Sequence, residues 1–274
     1  MPELPEVETV AQSIKKHLIG IKFDSLTLNW KKTLHNFTPA DFKNKLQGKS
    51  ISNIYRRGKY IIIDLDGQLL AVHLRMTGKL YVAKKDEYKR KHVSLYLKFK
   101  DNYLVFEDTR KFGRFYLYKN LDHLNQKLGV EPLSIDFTKD FLFNGMKQRK
   151  RQIKAFLLDQ SFVVGLGNIY VDEALWHAKI HPLSTSNEIS KKKIYKLHEG
   201  IVKVLKESIK LGGTTIRDYT YDFAYAGNYA LNLAVFNKQG TPCLDCRATI
   251  LKIKVAQRGT HFCPVCQNLQ IETQ

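Results

Sequence analysis

The stretch IIIDLDGQLLAVHL at residues 61–74 consists of two apolar segments on either side of Asp66-Gly67. Asp-Gly between two β-forming segments is a strong signal for a tight hairpin turn. Farther along, apolar residues alternate strictly from Val93 to Phe99, and Phe112–Tyr118 adds a further strand-like segment. Short strands that follow one another without intervening helices predict a β-sandwich or barrel over about residues 50–118.

Helical periodicity occurs on both sides of this strand-rich region. Near the N-terminus, apolar residues recur every three or four positions and predict one helix within residues 1–20. Beyond residue 131 the same spacing predicts helices over residues 138–147, 151–159, 168–178 and 190–211. Strands followed by helices favour an α+β multidomain protein.

The charge of the chain indicates a polyanionic partner. The 274 residues include 45 Lys and Arg against 26 Asp and Glu, a formal net charge of +19. Nucleic acid is the first candidate and an anionic membrane surface the second. The apolar stretches are far shorter than the ~20 residues that span a bilayer. Acidic residues stand where a secretory signal carries basic ones, so we expect a soluble, intracellular protein.

All four cysteines lie near the C-terminus, as Cys243-x2-Cys246 and Cys263-x2-Cys266. Two such pairs supply four thiolates, a ligand set that holds one tetrahedral zinc ion. Disulfides are the alternative, but they are usually spread along secreted chains. The spacing predicts a zinc ribbon. Its ion would be structural, because four protein ligands leave no open position for a substrate.

The N-terminal stretch MPELPEVETV at residues 1–10 allows two interpretations. Early prolines and carboxylates are ordinary at a helix start, where carboxylates complement the helix dipole. The second interpretation is chemical: if Met1 is removed, Pro2 carries a free secondary amine beside the Glu3 carboxylate. A secondary amine that condenses with a sugar aldehyde gives a cationic iminium, which acts as an electron sink. The spacing alone favours the helix-start interpretation.

A set of motifs in a fixed order favours the chemical interpretation. The set comprises PELPEVET at 2–9, RRGKY at 56–60, HLRMTG at 73–78, DTRKFG at 108–113, LDQ at 158–160, GLGNIY at 165–170 and QRGTHFCP at 257–264. Together they resemble the formamidopyrimidine-DNA glycosylase family, bacterial base-excision enzymes for oxidised purines. The likeness extends over nearly the whole chain.

The resemblance implies an architecture that agrees with the strand-then-helix order. It implies an N-terminal helix plus β-sandwich domain over residues 1–130 and a helix–two-turn–helix DNA-binding domain over 131–235. A zinc finger with one structural Zn²⁺ follows over 236–274. The implied partner is double-stranded DNA that contains oxidised bases or abasic sites. The resemblance further implies a bacterial, cytoplasmic monomer that is associated with the nucleoid through its binding to DNA.

The resemblance also implies catalytic roles for four residues. The Pro2 amine attacks C1′ of the damaged nucleotide, and Glu3 is the general acid that aids opening of the sugar ring. Lys59 is the proton donor in β-elimination, and Arg258 is associated with δ-elimination. The target base must leave the helix stack before C1′ can be reached, which costs a few kcal/mol.

Nine further residues are candidate DNA contacts. Three of them, Met76, Arg110 and Phe112, match residues that fill the gap left by the extruded nucleotide. Two others, His73 and His92, match positions that contact the DNA. Asn168, at a helix start after two glycines, is a candidate phosphate ligand. The basic run at residues 147–154 has no acidic residue and is a candidate clamp on the DNA backbone, with Arg149, Lys150 and Lys154 among its members. Without the resemblance, Met76 and Phe112 would be assigned to a core and the basic residues to a solvated surface.

The sequence departs from the family pattern before the zinc ribbon. The family usually has a Gly-rich segment and a Val-Tyr-Gly-Arg-like sequence there, where this chain has YAGNYAL at 225–231. That region neighbours the loop that covers the extruded base, and its aromatic cluster is a candidate base-stacking surface: Tyr219, Tyr221, Phe223 and Tyr225. The expected substrates are 8-oxoguanine opposite cytosine and formamidopyrimidines.

Two alternatives remain. One is the sister class for oxidised pyrimidines, which shares the Pro-Glu start but typically has glycine where this chain has Leu4. The other is a non-catalytic zinc-ribbon DNA-binding protein, which would share the salt-dependent DNA binding of an enzyme but form no covalent complex with DNA.

Overall fold

The computed structural model describes residues 1–84, 91–214 and 227–269. The chain forms two compact units. The first comprises Met1–Asn125 and Leu211–Asn228, and the second comprises Gln126–Lys210 and Tyr229–Gln274. The aromatic cluster between Tyr219 and Tyr225 lies outside the described residues.

The first unit contains two four-stranded antiparallel sheets. The strands are β1 (Ser25–Leu28), β2 (Ile51–Arg57), β3 (Tyr60–Leu65), β4 (Gln68–His73), β5 (Gly78–Lys84), β6 (Val93–Phe99), β7 (Asn102–Asp108) and β8 (Arg114–Tyr118). One sheet has the order β2-β3-β4-β8 and the other β1-β6-β7-β5. Side chains from both sheets share one hydrophobic core, for example Ile63 of β3, Leu97 of β6 and Phe106 of β7. The predicted β-sandwich is confirmed.

The predicted hairpin at Asp66-Gly67 joins β3 to β4. Leu65 pairs with Gln68, so the loop has two residues, and both adopt positive φ angles of 46° and 82°. Two positive φ angles define the type I′ turn, whose twist matches that of the flanking strands. The turn therefore sets the register of the hairpin.

Two helices accompany the sandwich. The predicted N-terminal helix is α1 (Leu4–Leu18), which buries Val7, Val10 and Ile14 in the sandwich core. A second helix, α2 (Pro39–Leu46), was not predicted, nor was β1. The N-cap Thr38 accepts from the Asp41 N–H, and Asp41 accepts from the Thr38 N–H in return. These reciprocal bonds form a capping box. Its sequence pattern, Thr followed three residues later by Asp, is the signal from which α2 could have been predicted.

The second unit is helical and ends in a hairpin. Its helices match the predicted segments: α4 (Lys139–Lys147), α5 (Ile153–Leu157), α6 (Asn168–Ala178) and α7 (Lys191–Lys210). The short helix α3 (Asp122–Asn125) belongs to the first unit. Strands β9 (Leu251–Val255) and β10 (Arg258–Phe262) pair antiparallel within the cysteine-bearing segment. The α+β class is confirmed. In the described ranges, no helix is both long and apolar enough to cross a membrane.

Candidate functional site

The Pro2-Glu3 dipeptide immediately precedes α1 and is buried. Glu3 is the N-cap residue, and its backbone N–H donates to Glu6 Oε2 at 2.9 Å. The other carboxylate oxygen, Glu6 Oε1, accepts from the Thr214 backbone N–H at 2.8 Å. A single buried carboxylate therefore fixes the Pro2-Glu3 start of the chain and the point where residues 211–214 return to the same unit.

Lys59 lies in the turn between β2 and β3 and is 6% exposed. The turn is tied to α1 because Arg56 Nε lies 3.0 Å from Glu8 Oε2. Arg56 Nη1 also donates to the Gly58 carbonyl at 3.0 Å. Arg56 thus connects the helix that follows Pro2-Glu3 with the turn that carries the candidate proton donor.

His73 is the cross-strand neighbour of Tyr60, next to Lys59. Burial, together with the positive charges of Arg75 and Lys59, lowers the pKa of His73 to about 3. The Arg75 backbone N–H donates to His73 Nδ1 at 3.0 Å, so this nitrogen carries no proton. His73 is therefore a neutral imidazole whose second ring nitrogen carries the hydrogen.

The three gap-filling candidates occupy two loops of the first unit. Met76 precedes β5, and Arg110 and Phe112 lie between β7 and β8. Met76 is 38% exposed and Phe112 is 49% exposed, and the Arg110 guanidinium carbon lies 4.9 Å from the centre of the Phe112 ring. His92 is also exposed and has a φ angle of 74°. Met76 and Phe112 are therefore not core residues and are accessible to a ligand, while their gap-filling role stays a prediction.

In the second unit, Asn168 and the Arg258 hairpin lie together. Asn168 is the first residue of α6, and its Nδ2 donates to the Gly259 carbonyl at 2.9 Å. Arg258, the preceding residue, begins β10 and is exposed. A helix N-terminus favours an anion, and Arg258, next in sequence to Gly259, brings a positive charge and directed donors to the same hairpin.

The basic run at residues 147–154 divides into exposed and buried members. Arg149 and Lys150 are exposed. Lys154 is fully buried, and its Nζ lies 2.6 Å from Asp172 Oδ1. Asp172 Oδ2 accepts from the His261 backbone N–H at 2.9 Å, which joins α5, α6 and β10. Lys154 reaches a phosphate only if it leaves Asp172, so its direct contact with DNA stays a prediction.

The four cysteine sulfurs lie within 4.8 Å of one another, and none forms a disulfide. Two of the separations are 3.9 Å, between Cys243 and Cys266, and 3.4 Å, between Cys246 and Cys263. Zinc–sulfur bonds of about 2.3 Å in a tetrahedron place sulfurs about 3.8 Å apart. The donor set therefore fits one structural zinc ion. Trp176 of α6 donates from Nε1 to Cys243 Sγ at 3.4 Å, which connects the ribbon to the helical unit.

Sequence reasoning assigned no role to several buried acidic residues that organise these sites. Asp172 and Glu173 interrupt the apolar sequence of α6, and this interruption was the available signal. Both Glu173 carboxylate oxygens accept backbone N–H groups of the segment Ala234, Val235 and Phe236, at 2.8 to 3.0 Å. Asp108 lies within the motif DTRKFG, but one of its side-chain partners, Thr77, is 31 residues away in sequence.

Three family models match consecutive parts of the chain. Residues 1–115 match the formamidopyrimidine-DNA glycosylase N-terminal domain, and residues 128–220 match the formamidopyrimidine-DNA glycosylase H2TH domain. Residues 240–269 match a zinc finger found in FPG and IleRS.

Similar proteins cover the chain almost completely. A formamidopyrimidine-DNA glycosylase of Protochlamydia amoebophila is 46% identical over 97% of this chain and 99% of its own length. A Lactococcus lactis FPG variant bound to Fapy-dG DNA has a TM-score of 0.93 at 42% identity, over 98% of this chain and all of that chain. MutM bound to carbocyclic 8-oxo-G DNA has a TM-score of 0.91, with the same identity and coverage. With the sandwich, the helical unit and the four-cysteine ribbon in the order of the family models, the chain belongs to the formamidopyrimidine-DNA glycosylase family.

Proposed function

We propose that this chain is a base-excision repair enzyme that removes oxidised purines from DNA and then cleaves the strand at the abasic site. Its substrates are 8-oxoguanine opposite cytosine and formamidopyrimidines. The observation that carries the proposal is the Pro2-Glu3 start of α1, which Glu6 holds in a buried position. The solved relatives bound to 8-oxo-G and Fapy-dG DNA support the choice of substrate.

The proposed chemistry begins at the Pro2 nitrogen after removal of Met1. The nitrogen lone pair forms a bond to C1′ as the bond between C1′ and the damaged base breaks, and the proton lost from the Pro2 nitrogen passes to the departing base. Glu3 donates a proton to the ring oxygen as the sugar opens, which leaves a cationic iminium between Pro2 and C1′. The iminium stabilises the carbanion formed when the C2′ proton is lost, so the 3′-phosphate leaves by β-elimination.

The later steps fall to two basic residues. Lys59 supplies a proton in β-elimination, and Arg258 promotes δ-elimination of the 5′-phosphate. Water then hydrolyses the iminium and releases Pro2. Lys59 is 6% exposed and lies near the neutral His73 ring. The fold itself therefore shields the Lys59 ammonium from bulk water, before any substrate is bound.

The proposed DNA contacts divide into two kinds. Met76 and Phe112 occupy the gap in the base stack, and Arg110 donates hydrogen bonds to the orphaned base. The remaining contacts bind the sugar–phosphate backbone and set its register: His73, His92, Arg149, Lys150, Asn168 and, if it leaves Asp172, Lys154. We further propose that the enzyme acts as a monomer in the bacterial cytoplasm.

Borohydride trapping tests this function directly. The substrate is a duplex with one 8-oxoguanine opposite cytosine, and the intact mass of the same preparation shows whether Met1 is absent. We expect a covalent band with Met-free protein and none with Pro2→Gly, while duplex affinity of the variant stays within about threefold. Equal loss of trapping and affinity would contradict the role of Pro2. Trapping only on an oxidised pyrimidine would favour the sister class, and trapping on neither substrate would favour a binding module.

A further inference from the structure

Asp108 is the last residue of β7, and its side chain is completely buried. Its Oδ1 accepts from Thr77 Oγ1 at 2.5 Å and from the Arg110 backbone N–H at 3.2 Å. Its Oδ2 accepts from the Gly113 backbone N–H at 2.8 Å. One carboxylate thus spans the loop between β7 and β8 from Arg110 to Gly113, and also reaches the loop before β5.

Thr77 closes this arrangement from the other loop. Its Oγ1 donates to Asp108 and accepts from the Arg110 backbone N–H at 3.2 Å. Thr77 directly follows Met76, whereas Arg110 and Phe112 belong to the second loop. The hydroxyl therefore joins the two loops that carry the three gap-filling candidates, across 31 residues of sequence.

The same two loops also pack on one aromatic ring. A Cβ atom added at Gly113 would lie 2.2 Å from Phe106 Cζ, and one at Gly78 would lie 2.9 Å from the same atom. Both loops thus pass over Phe106 with no room for a side chain. On a third side, the Asp108 backbone N–H donates to the His92 carbonyl at 3.0 Å. Asp108 therefore hydrogen-bonds to each of the three segments that carry the DNA-contacting candidates of this region: Met76, His92, Arg110 and Phe112.

We propose that Asp108 and Thr77 are positioning residues that hold the two gap-filling loops as one rigid unit, so that base extrusion and reading of the opposite base depend on the bond between them. The inference rests on the proposed function, because it assumes that Met76, Arg110 and Phe112 enter the base stack. Side chains that fill a gap in the stack are effective only when their positions are fixed to a fraction of an ångström, since small displacements lose much of the catalytic advantage.

The chemistry of the cluster suits this role. In the described part of the chain, the bonds to the Asp108 carboxylate come from one hydroxyl and two backbone N–H groups, which are directional donors. Hydrogen bonds from uncharged donors to a buried carboxylate are directional and fix the orientation of the groups that they join. The tips of the loops remain exposed, so they are held at their bases and left open toward a ligand.

Thr77→Val is the sharpest test because it removes only the hydroxyl and keeps the shape of the side chain. The Arg110 N–H retains Asp108 Oδ1 as its acceptor, so no backbone donor is left unpaired. Thr77→Ser restores the hydroxyl. Thr109→Val is the matched control: Thr109 lies one residue beyond Asp108, is exposed, and its hydroxyl has no hydrogen-bond partner among the described residues.

The readout is the ratio of two single-turnover rates measured on each protein. One is excision of 8-oxoguanine opposite cytosine, which requires extrusion of a stacked base. The other is strand cleavage at a preformed abasic site, which does not. We expect Thr77→Val to lower the ratio roughly tenfold and to reduce the preference for cytosine over adenine opposite the lesion. Thr77→Ser and Thr109→Val should match the unaltered protein.

The possible outcomes separate the two proposals. A parallel fall of both rates in Thr77→Val would assign Thr77 a general structural role and overturn the inference. Unchanged rates would overturn it as well. If the unaltered, Met-free protein neither excises the base nor cleaves the abasic site, the proposed function fails first. Asp108→Asn offers a second variant: it should lower the same ratio, since one carboxylate oxygen becomes a donor that faces donors.

Discussion

The gap-filling loops of the first unit and the zinc-bearing segment of the second unit hold their functional side chains in different ways. In the first unit, uncharged donors around Asp108 fix the bases of two loops whose tips are exposed. In the second unit, buried charges and four thiolates position the Arg258 hairpin. We therefore expect substitutions at the loop tips of the first region to change activity without changing stability. In the second region, we expect substitutions of the buried charges and thiolates to change both.

Loss of a zinc ligand should have the largest effect on stability. Structural zinc contributes on the order of 10 kcal/mol to the folding of such a module, so Cys263→Ser should release the metal and unfold the hairpin. Duplex binding should fall to the level of nonspecific binding, as measured by zinc analysis and by titration with labelled DNA. Val265→Ser is the control, because Val265 is 61% exposed and lies between two ligands. A zinc-free Cys263→Ser protein with full activity would contradict the coupling.

Breaking the buried ion pair of the second unit should have the next largest effect. Lys154→Met leaves the Asp172 carboxylate buried without its ammonium partner, which costs about 3–5 kcal/mol. Denaturant unfolding measures this loss, and Lys150→Met is the exposed control, for which we expect a change within about 0.5 kcal/mol. If Lys154→Met kept its stability and lost only DNA affinity, Lys154 would be a phosphate contact rather than part of the framework.

A moderate and pH-dependent effect is expected at His73 in the first unit. The pKa of His73 is lowered to about 3 in the folded protein, whereas an unfolded histidine titrates near 6.5. Below about pH 6.5 the unfolded state takes up a proton that the folded state refuses, so stability falls as the pH falls. The slope reaches about 1.4 kcal/mol per pH unit and levels off near pH 3.

His73→Gln isolates this contribution, because glutamine keeps a hydrogen-bond acceptor and does not titrate. The difference in unfolding free energy between the two proteins should change between pH 6.5 and 4.5, with the variant showing the flatter profile. Identical pH profiles would show that His73 becomes protonated in the folded state, contrary to its burial and its bond from the Arg75 N–H.

The smallest effect on stability is expected at the exposed tips of the first unit. Phe112→Ala removes a half-exposed ring, so the unfolding free energy should change by less than about 0.5 kcal/mol. Excision of the damaged base should nevertheless fall roughly tenfold or more, because the gap in the stack is left unfilled. Thermal unfolding and single-turnover excision provide the two measurements. A loss of several kcal/mol would instead place Phe112 in the core and remove the contrast between the two regions.

The sequence predicted best what depends on neighbouring residues. The Asp66-Gly67 turn requires only two neighbouring residues with positive φ angles. The zinc site was predictable because the spacing of the four cysteines in the sequence is itself the signal. The buried role of Lys154 was not predictable, because a basic residue within a basic run resembles a solvated one. Its partner Asp172 lies 18 residues away on another helix. The bond between Thr77 and Asp108 spans 31 residues and depends on the pairing of β5 with β7, which periodicity does not determine.

The bond from Thr214 to Glu6 has a consequence for the synthesis of the protein. The two residues are 208 positions apart, so this contact cannot form until most of the chain has left the ribosome. At about 5–20 residues per second, the N-terminal segment waits roughly 10–40 s for its partner. During that interval Glu6 Oε1 lacks the Thr214 N–H as its donor, and Met1, which is 45% exposed even in the finished fold, is accessible to an aminopeptidase. If Met1 is removed, as the proposed function requires, the removal can take place before residues 211–214 close on Glu6, so the topology of the chain leaves time for the Pro2 amine to be released.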